Sequence, residues 1–161
     1  MFCIINYIIL ADTRQQKDKH ITDYFDKHEI MWIRTTLESV DYMIVRCGYN
    51  KVMRDYKTLI DTKKDVEEIA KNLCNANEHQ RILREYNRAK EKGCKNFIFL
   101  ICDDKIKTKE DLINWKSKRT RVKGETLSKI MSTMHKRYGI RFVFTSKKNA
   151  GKYVVKLLTE N

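Results

Sequence analysis

Seven residues, NFIFLIC at positions 96–102, most restrict what this chain can become. The run is apolar without alternation and of strand length, so it reads as a central strand buried on both faces. Such a strand needs other structure above and below its sheet, and the remaining sequence supplies it. Residues 4–11 read as a strand, 20–28 as a short helix and 30–35 as a second strand. Residues 42–47 (YMIVRC) and 56–62 (YKTLIDT) read as two more strands, joined across a turn near GYNK.

Helical spacing then takes over. Val66, Ile69, Ala70 and Leu73 recur on one face, and a second helix over 78–92 carries Ile82, Tyr86 and Ala89. At 100° per residue, Arg81, Arg84 and Arg88 share an arc on the other side, as a solvated face or a phosphate-facing stripe. The segment 105–123 reads as a long loop, mobile or functional. A helix over 125–138 is stopped by Gly139, and a strand at 140–145 and a helix at 149–158 close the pattern. The expectation is an α/β domain with a mixed sheet.

At 161 residues, with no proline and no linker, the chain reads as one domain over 1–161. No window of 18 or more apolar residues suggests a membrane span, so no membrane partner is expected. The opening MFCIINYIILA lacks a basic leader and runs into DTRQQKDK, which favours a buried strand over a signal peptide. Five cysteines without C-x-x-C argue for reduced thiols and an intracellular setting: cytoplasm, nucleus, or a host cytoplasm for a mobile element. The scattered histidines offer no zinc helix, and no glycine-rich phosphate loop is present.

Charge points to a polyanion. The formal net charge is +13, and neutralising phosphates releases counterions. The basic residues are unevenly placed, with Lys118, Arg119 and Arg121 inside the segment 105–123. A lysine-biased, merely solvated surface is the plainer alternative.

The chemistry concentrates at Asp41 and Asp61-Thr62-Lys63. If the flanking strands form a hairpin centred near Lys51, Asp41 and Asp61 face each other at its open end with no bulge required. Strand alternation puts Asp61 and Lys63 on one face. Two carboxylates and an ammonium then converge, and Asp12, ending the first strand, is a candidate third carboxylate. Hard cations such as Mg²⁺ or Mn²⁺ take oxygen ligands of this kind. The metal candidates are thus Asp12, Asp41 and Asp61, and the catalytic candidates Asp41, Asp61 and Lys63. The D-x(19)-D-x-K spacing is the PD-(D/E)xK nuclease pattern.

Four stretches, IILADTRQQ, LESVDYMIV, LIDTKKDVEEIAKNL and HQRILREYNRA, occur in an order that resembles the XPF-family nuclease domain. That family carries V-D-x-R-E, then G-D-Y-x-[IV], then E-R-K-x-x-x-D, then a helix with Gln and Arg. The run from TLSKIM to VVKLL is also similar to the end of that domain. The resemblance implies a restriction-endonuclease-like mixed central sheet flanked by helices. It also implies metal-dependent cleavage of branched or flapped DNA, and a homodimer or heterodimer through the nuclease domain.

By position, Asp12 and Arg14 match the first motif and Asp41 the second. Asp61, Lys63 and Glu67 match the third, and Gln80 with Arg81 the helix. Arg14, Arg81, Arg84, Arg88, Lys118, Arg119 and Arg121 are then the expected nucleic-acid contacts, with Gln80 and Glu67 in support. Four positions depart from the pattern. Gln15 stands for Glu, Val40 for Gly, Asp61 for Glu and Thr62 for Arg, and no helix-hairpin-helix module is expected. Besides a metal-dependent endonuclease, a catalytically weak or inactive nucleic-acid-binding or assembly module stays open, as does a different PD-(D/E)xK enzyme.

Overall fold

The computed structural model describes residues 6–160. Six strands form one mixed sheet: β1 (Tyr7–Asp12), β2 (Trp32–Thr35), β3 (Tyr42–Gly48), β4 (Lys51–Lys63), β5 (Asn96–Cys102) and β6 (Arg141–Thr145). Their spatial order is β2-β1-β3-β4-β5-β6. The β1–β3 and β3–β4 pairs are antiparallel, and the β1–β2, β4–β5 and β5–β6 pairs are parallel. Residues 4 and 5 of the expected first strand, and Cys3, lie outside the described residues.

The apolar run at 96–102 is β5, and both its faces are covered. Phe97, Phe99 and Ile101 pack into one core with Val66, Ile69 and Leu73 of α2 (Val66–Cys74), and Ile82 of α3 (Ala76–Glu91). Leu127, Met131 and Met134 of α5 (Gly124–Tyr138) join the same core. Ile98, Leu100 and Cys102 pack on the opposite side with Ile21 and Phe25 of α1 (Lys19–Lys27). Val154, Leu157 and Leu158 of α6 (Ala150–Thr159) complete that second layer. Two-sided burial is the reason the strand shows no polar alternation.

Local chemistry sets several element ends. Asp65 caps α2 by accepting from Glu68 N, and Asn75 caps α3 by accepting from Glu78 N. Gly139 ends α5 in the left-handed region at φ 76°, where a side chain is unfavourable.

Two expectations are corrected. The β3–β4 hairpin is bulged. Its turn lies at Tyr49-Asn50, since Gly48 opposes Lys51, and β4 begins at Lys51 rather than near Tyr56. Between Tyr42 and Ile44, β3 advances two residues while β4 advances five, from Ile60 to Asp55. The insertion of three residues shifts the turn and still leaves Tyr42 opposite Ile60 at the open end.

The segment 105–123 is also not a structureless loop. It contains the short helix α4 (Lys109–Leu112), begun by a Thr108–Asp111 capping box, and a Lys116–Lys123 bridge. Leu112 is fully buried, and Trp115 and Val122 pack against the core. Gly124 allows α5 to start against α4, because a Cβ there would sit 1.6 Å from Leu112 O.

Candidate active site

Asp41 and Asp61 meet as the hairpin register requires. Asp41 N donates to Ile60 O at 2.9 Å, and Asp41 O accepts from Asp12 N at 2.8 Å, so the backbone of residue 41 is tied to β1 and β4. The Asp41 and Asp61 side chains lie within hydrogen-bonding reach of each other. Lys63 Nζ sits 3.1 Å from Asp61 Oδ2, with its side chain only 8% exposed. It also lies over the Phe99 ring, 5.5 Å from the centroid.

Three donors converge on one oxygen of Asp41. Thr62 N donates at 2.8 Å, Thr62 Oγ1 at 2.7 Å and Gln15 Nε2 at 3.2 Å, all to Asp41 Oδ2. Gln15 Nε2 also donates to Thr62 Oγ1 at 2.7 Å, which leaves that hydroxyl to donate onward to Asp41. Thr62, at the position of a motif arginine, therefore orients a carboxylate by short local bonds.

Burial, then the charge of Asp61, pushes the Asp41 carboxyl up to about 7, against the hydrogen bonds from Thr62. Burial also raises the Asp61 carboxyl, against the pull of Lys63. For Lys63, burial alone would lower the ammonium pKa, but the neighbouring Asp61 carboxylate holds it above its ordinary value. Two half-buried acids held this close favour sharing a proton or a cation.

These groups line a cleft of about 250 Å³ with Asp12, Arg14, Gln15, Arg81 and Glu85. Arg81 is braced by Glu78 and Glu85, each at 2.8 Å. Thus Asp12, Arg14, Asp41, Asp61, Lys63 and Arg81 are brought together. Glu85 was missed by sequence reasoning; its signal was the i, i+4 spacing to Arg81 on α3.

Other expected residues are placed differently. Asp12 has both oxygens engaged: Oδ1 accepts from Leu37 N at 3.0 Å and Oδ2 from Arg14 Nε at 2.7 Å. Both contacts brace the loop before β3, while Asp12 still lines the cleft. Among the described residues, no three His, Cys, Asp or Glu side chains are grouped to hold a metal ion. The donor set nevertheless fits a hydrated hard cation, since the three bonds all go to Asp41 Oδ2, none to Oδ1, and such ions keep several waters.

Glu67 does not line the cleft. It accepts from Ser117 Oγ at 2.8 Å and Lys118 N at 2.5 Å, stapling the basic segment to α2. Gln80 is exposed on α3, as is Arg84, and Arg88 lines a separate groove farther along that helix. Lys118, Arg119 and Arg121 are exposed on the stapled segment.

A family model described as the ERCC4 domain matches residues 11–157. No curated protein matches the chain. Among solved structures, XPF from Aeropyrum pernix is similar, with a TM-score of 0.64 and 15% sequence identity over 93% of this chain. At that identity the likeness is one of fold, and the chain spans 62% of the length of that structure.

Proposed function

Because the chain belongs to the ERCC4 domain family, a family of nuclease type, we propose that it is a metal-dependent DNA endonuclease acting at branched or flapped DNA. What carries this reading is the convergence of two half-buried carboxyls, both with raised pKa, beside the Lys63 ammonium. Asp41 and Asp61 would hold Mg²⁺ or Mn²⁺. The bound ion would supply polarisation of the phosphoryl oxygen and a water of lowered pKa.

The chain's own groups do the rest. Gln15 and Thr62 fix the orientation of Asp41. Lys63 stabilises the negative charge that develops on the scissile phosphate. Arg14 and Arg81 hold phosphates at the mouth of the cleft, Arg84 and Arg88 continue along α3, and Lys118, Arg119 and Arg121 grip a more distant arm. Gln80 lies beside Arg81 in sequence and contributes a neutral contact. A homodimer or heterodimer through this domain and an intracellular setting belong to the same reading. No helix among the described residues is long and apolar enough to cross a membrane.

One observation favours a second reading, a catalytically weak binding or assembly module. The Gln15 amide occupies the side of Asp41 where another acid could have served, and Asp12 is committed to protein contacts. A labelled panel of duplex, single strand, 3′ flap, fork and four-way junction, incubated with Mg²⁺, Mn²⁺ or EDTA, separates the two. The enzyme reading expects metal-dependent cutting of the branched members, reduced about 10²–10³-fold in Asp61→Asn and Lys63→Ala. Binding without cutting under either metal would sink it and leave the binding module.

A further inference from the structure

A second groove adjoins the acidic cleft and shares Glu38, Ser39 and Val40 with it. Its lining includes Tyr56, half-buried against the core and carried by the insertion in β4, together with Arg54, Arg88 and Lys92. Insertions of this sort re-aim side chains out of the regular pleat. Lys92 Nζ lies 5.4 Å from the centroid of the Tyr56 ring and is also ion-paired with Glu38.

Along α3, Arg81, Arg88 and Lys92 follow at seven and four residues. They therefore mark one side of the helix over about 16 Å at 1.5 Å per residue. Arg81 stands on the acidic cleft and Lys92 on the Tyr56 groove. A cationic track with an aromatic platform is the chemistry that holds single-stranded nucleic acid, since cations follow the phosphates while a base stacks on the ring. A duplex with its bases paired inside has no use for the platform.

We infer that the Tyr56 groove is a subsite for an unpaired nucleotide on the single-stranded arm of the substrate, a few nucleotides from the bond at Asp41 and Asp61. The proposal rests on the nuclease reading for its register but not for its binding chemistry. Glu38 is a placeholder in it: its carboxylate occupies Lys92 where a phosphate oxygen would otherwise sit. Once an arm arrives, Lys92 exchanges Glu38 for phosphate and uncovers the face of Tyr56.

Binding is measured in EDTA, without cleavage, so that loss of catalysis and failure of this subsite are read separately. The probes are a fork with one unpaired arm carrying 2-aminopurine and a blunt duplex of equal length. The fork is expected to bind more tightly, with fluorescence quenched at one arm position. Tyr56→Leu should weaken fork binding about tenfold and abolish the quench while sparing duplex binding. Tyr56→Trp should retain both, which guards against a merely structural effect. Lys92→Ala should lower the salt slope by about 0.7 on the arm, and Glu38→Gln should tighten fork binding. Equal affinity for fork and duplex, or a quench unchanged in folded Tyr56→Leu, overturns the inference. So does a Tyr56→Leu protein that changes self-association instead of arm binding.

Discussion

Asp41 and Asp61 are stable neighbours only under some conditions, and that has a measurable sign. An aspartate in the unfolded chain titrates near 3.9, whereas Asp41 in the folded protein is pushed up to about 7 by burial and by Asp61. A raised folded-state pKa means the folded state binds the proton more tightly. Its contribution is complete below the unfolded value and is lost as pH rises through about 7. The metal-free protein should therefore melt lower at pH 8 than at pH 5. Asp41→Asn should flatten that dependence, read by calorimetry at about 2–4 °C per kcal/mol in a chain of this size. Mg²⁺ should raise the melting midpoint more at pH 8 than at pH 5, because only the ionised pair attracts it. A second prediction concerns Gln15. Its amide donates to Asp41 and Thr62, and Gln15→Glu replaces those donors by a carboxylate. Added ligand charge should tighten Mn²⁺ binding about tenfold in titration calorimetry, while lowering the stability of the metal-free protein. Unchanged affinity would remove position 15 from the metal's surroundings.

At the scale of elements, the structure hangs on junctions between them. Gly124 lies where α5 begins against α4, and a Cβ would meet backbone atoms of Leu112 at 1.6 and 2.8 Å. Backbone cannot rotate away as a flexible side chain can, so Gly124→Ala should cost about 1–3 kcal/mol, visible as a lowered denaturation midpoint. A mutant as stable as the parent would mean the α4–α5 junction moves freely. The Glu67 staple predicts a local effect instead. Glu67→Ala removes the acceptor of Ser117 Oγ and Lys118 N. Trypsin should then cut at Lys118, Arg119 or Arg121 several-fold faster, with little change in global melting, because the opening is sub-global. The sequence showed the basic segment and missed its order. Leu112, Trp115 and Val122 are too widely spaced for a periodic signal, and their partners come from distant elements.

For the whole molecule, the net charge of +13 makes association with DNA strongly salt-dependent. If four to six phosphates are neutralised, log K should fall against log salt with a slope of about −4 to −5 for duplex. Arg119→Ala should reduce its magnitude by about 0.9 without changing which structures are preferred. A slope near zero in direct binding measurements would mean that the charge serves only as a solvated surface.

What the sequence determined by itself is local in origin. The unalternating run at 96–102 required layers on both sides of a sheet, and the shifts between period 2 and period 3.6 set the order of strands and helices. Alternation along β4 put Asp61 and Lys63 on one side, and their ion pair follows from it. The tertiary structure decided what depends on neighbours far apart in the chain. The strand order puts β3 between β1 and β4, which brings Gln15 to Asp41 and Thr62. The same packing commits Asp12 to Leu37 and Arg14 and turns Glu67 to the basic segment. The three residues inserted in β4 left Tyr42 opposite Ile60, and so Asp41 beside Asp61, even though the turn is displaced. Periodicity records which face a residue occupies; which distant side chain meets it there is set by register and sheet order, and neither leaves a local mark.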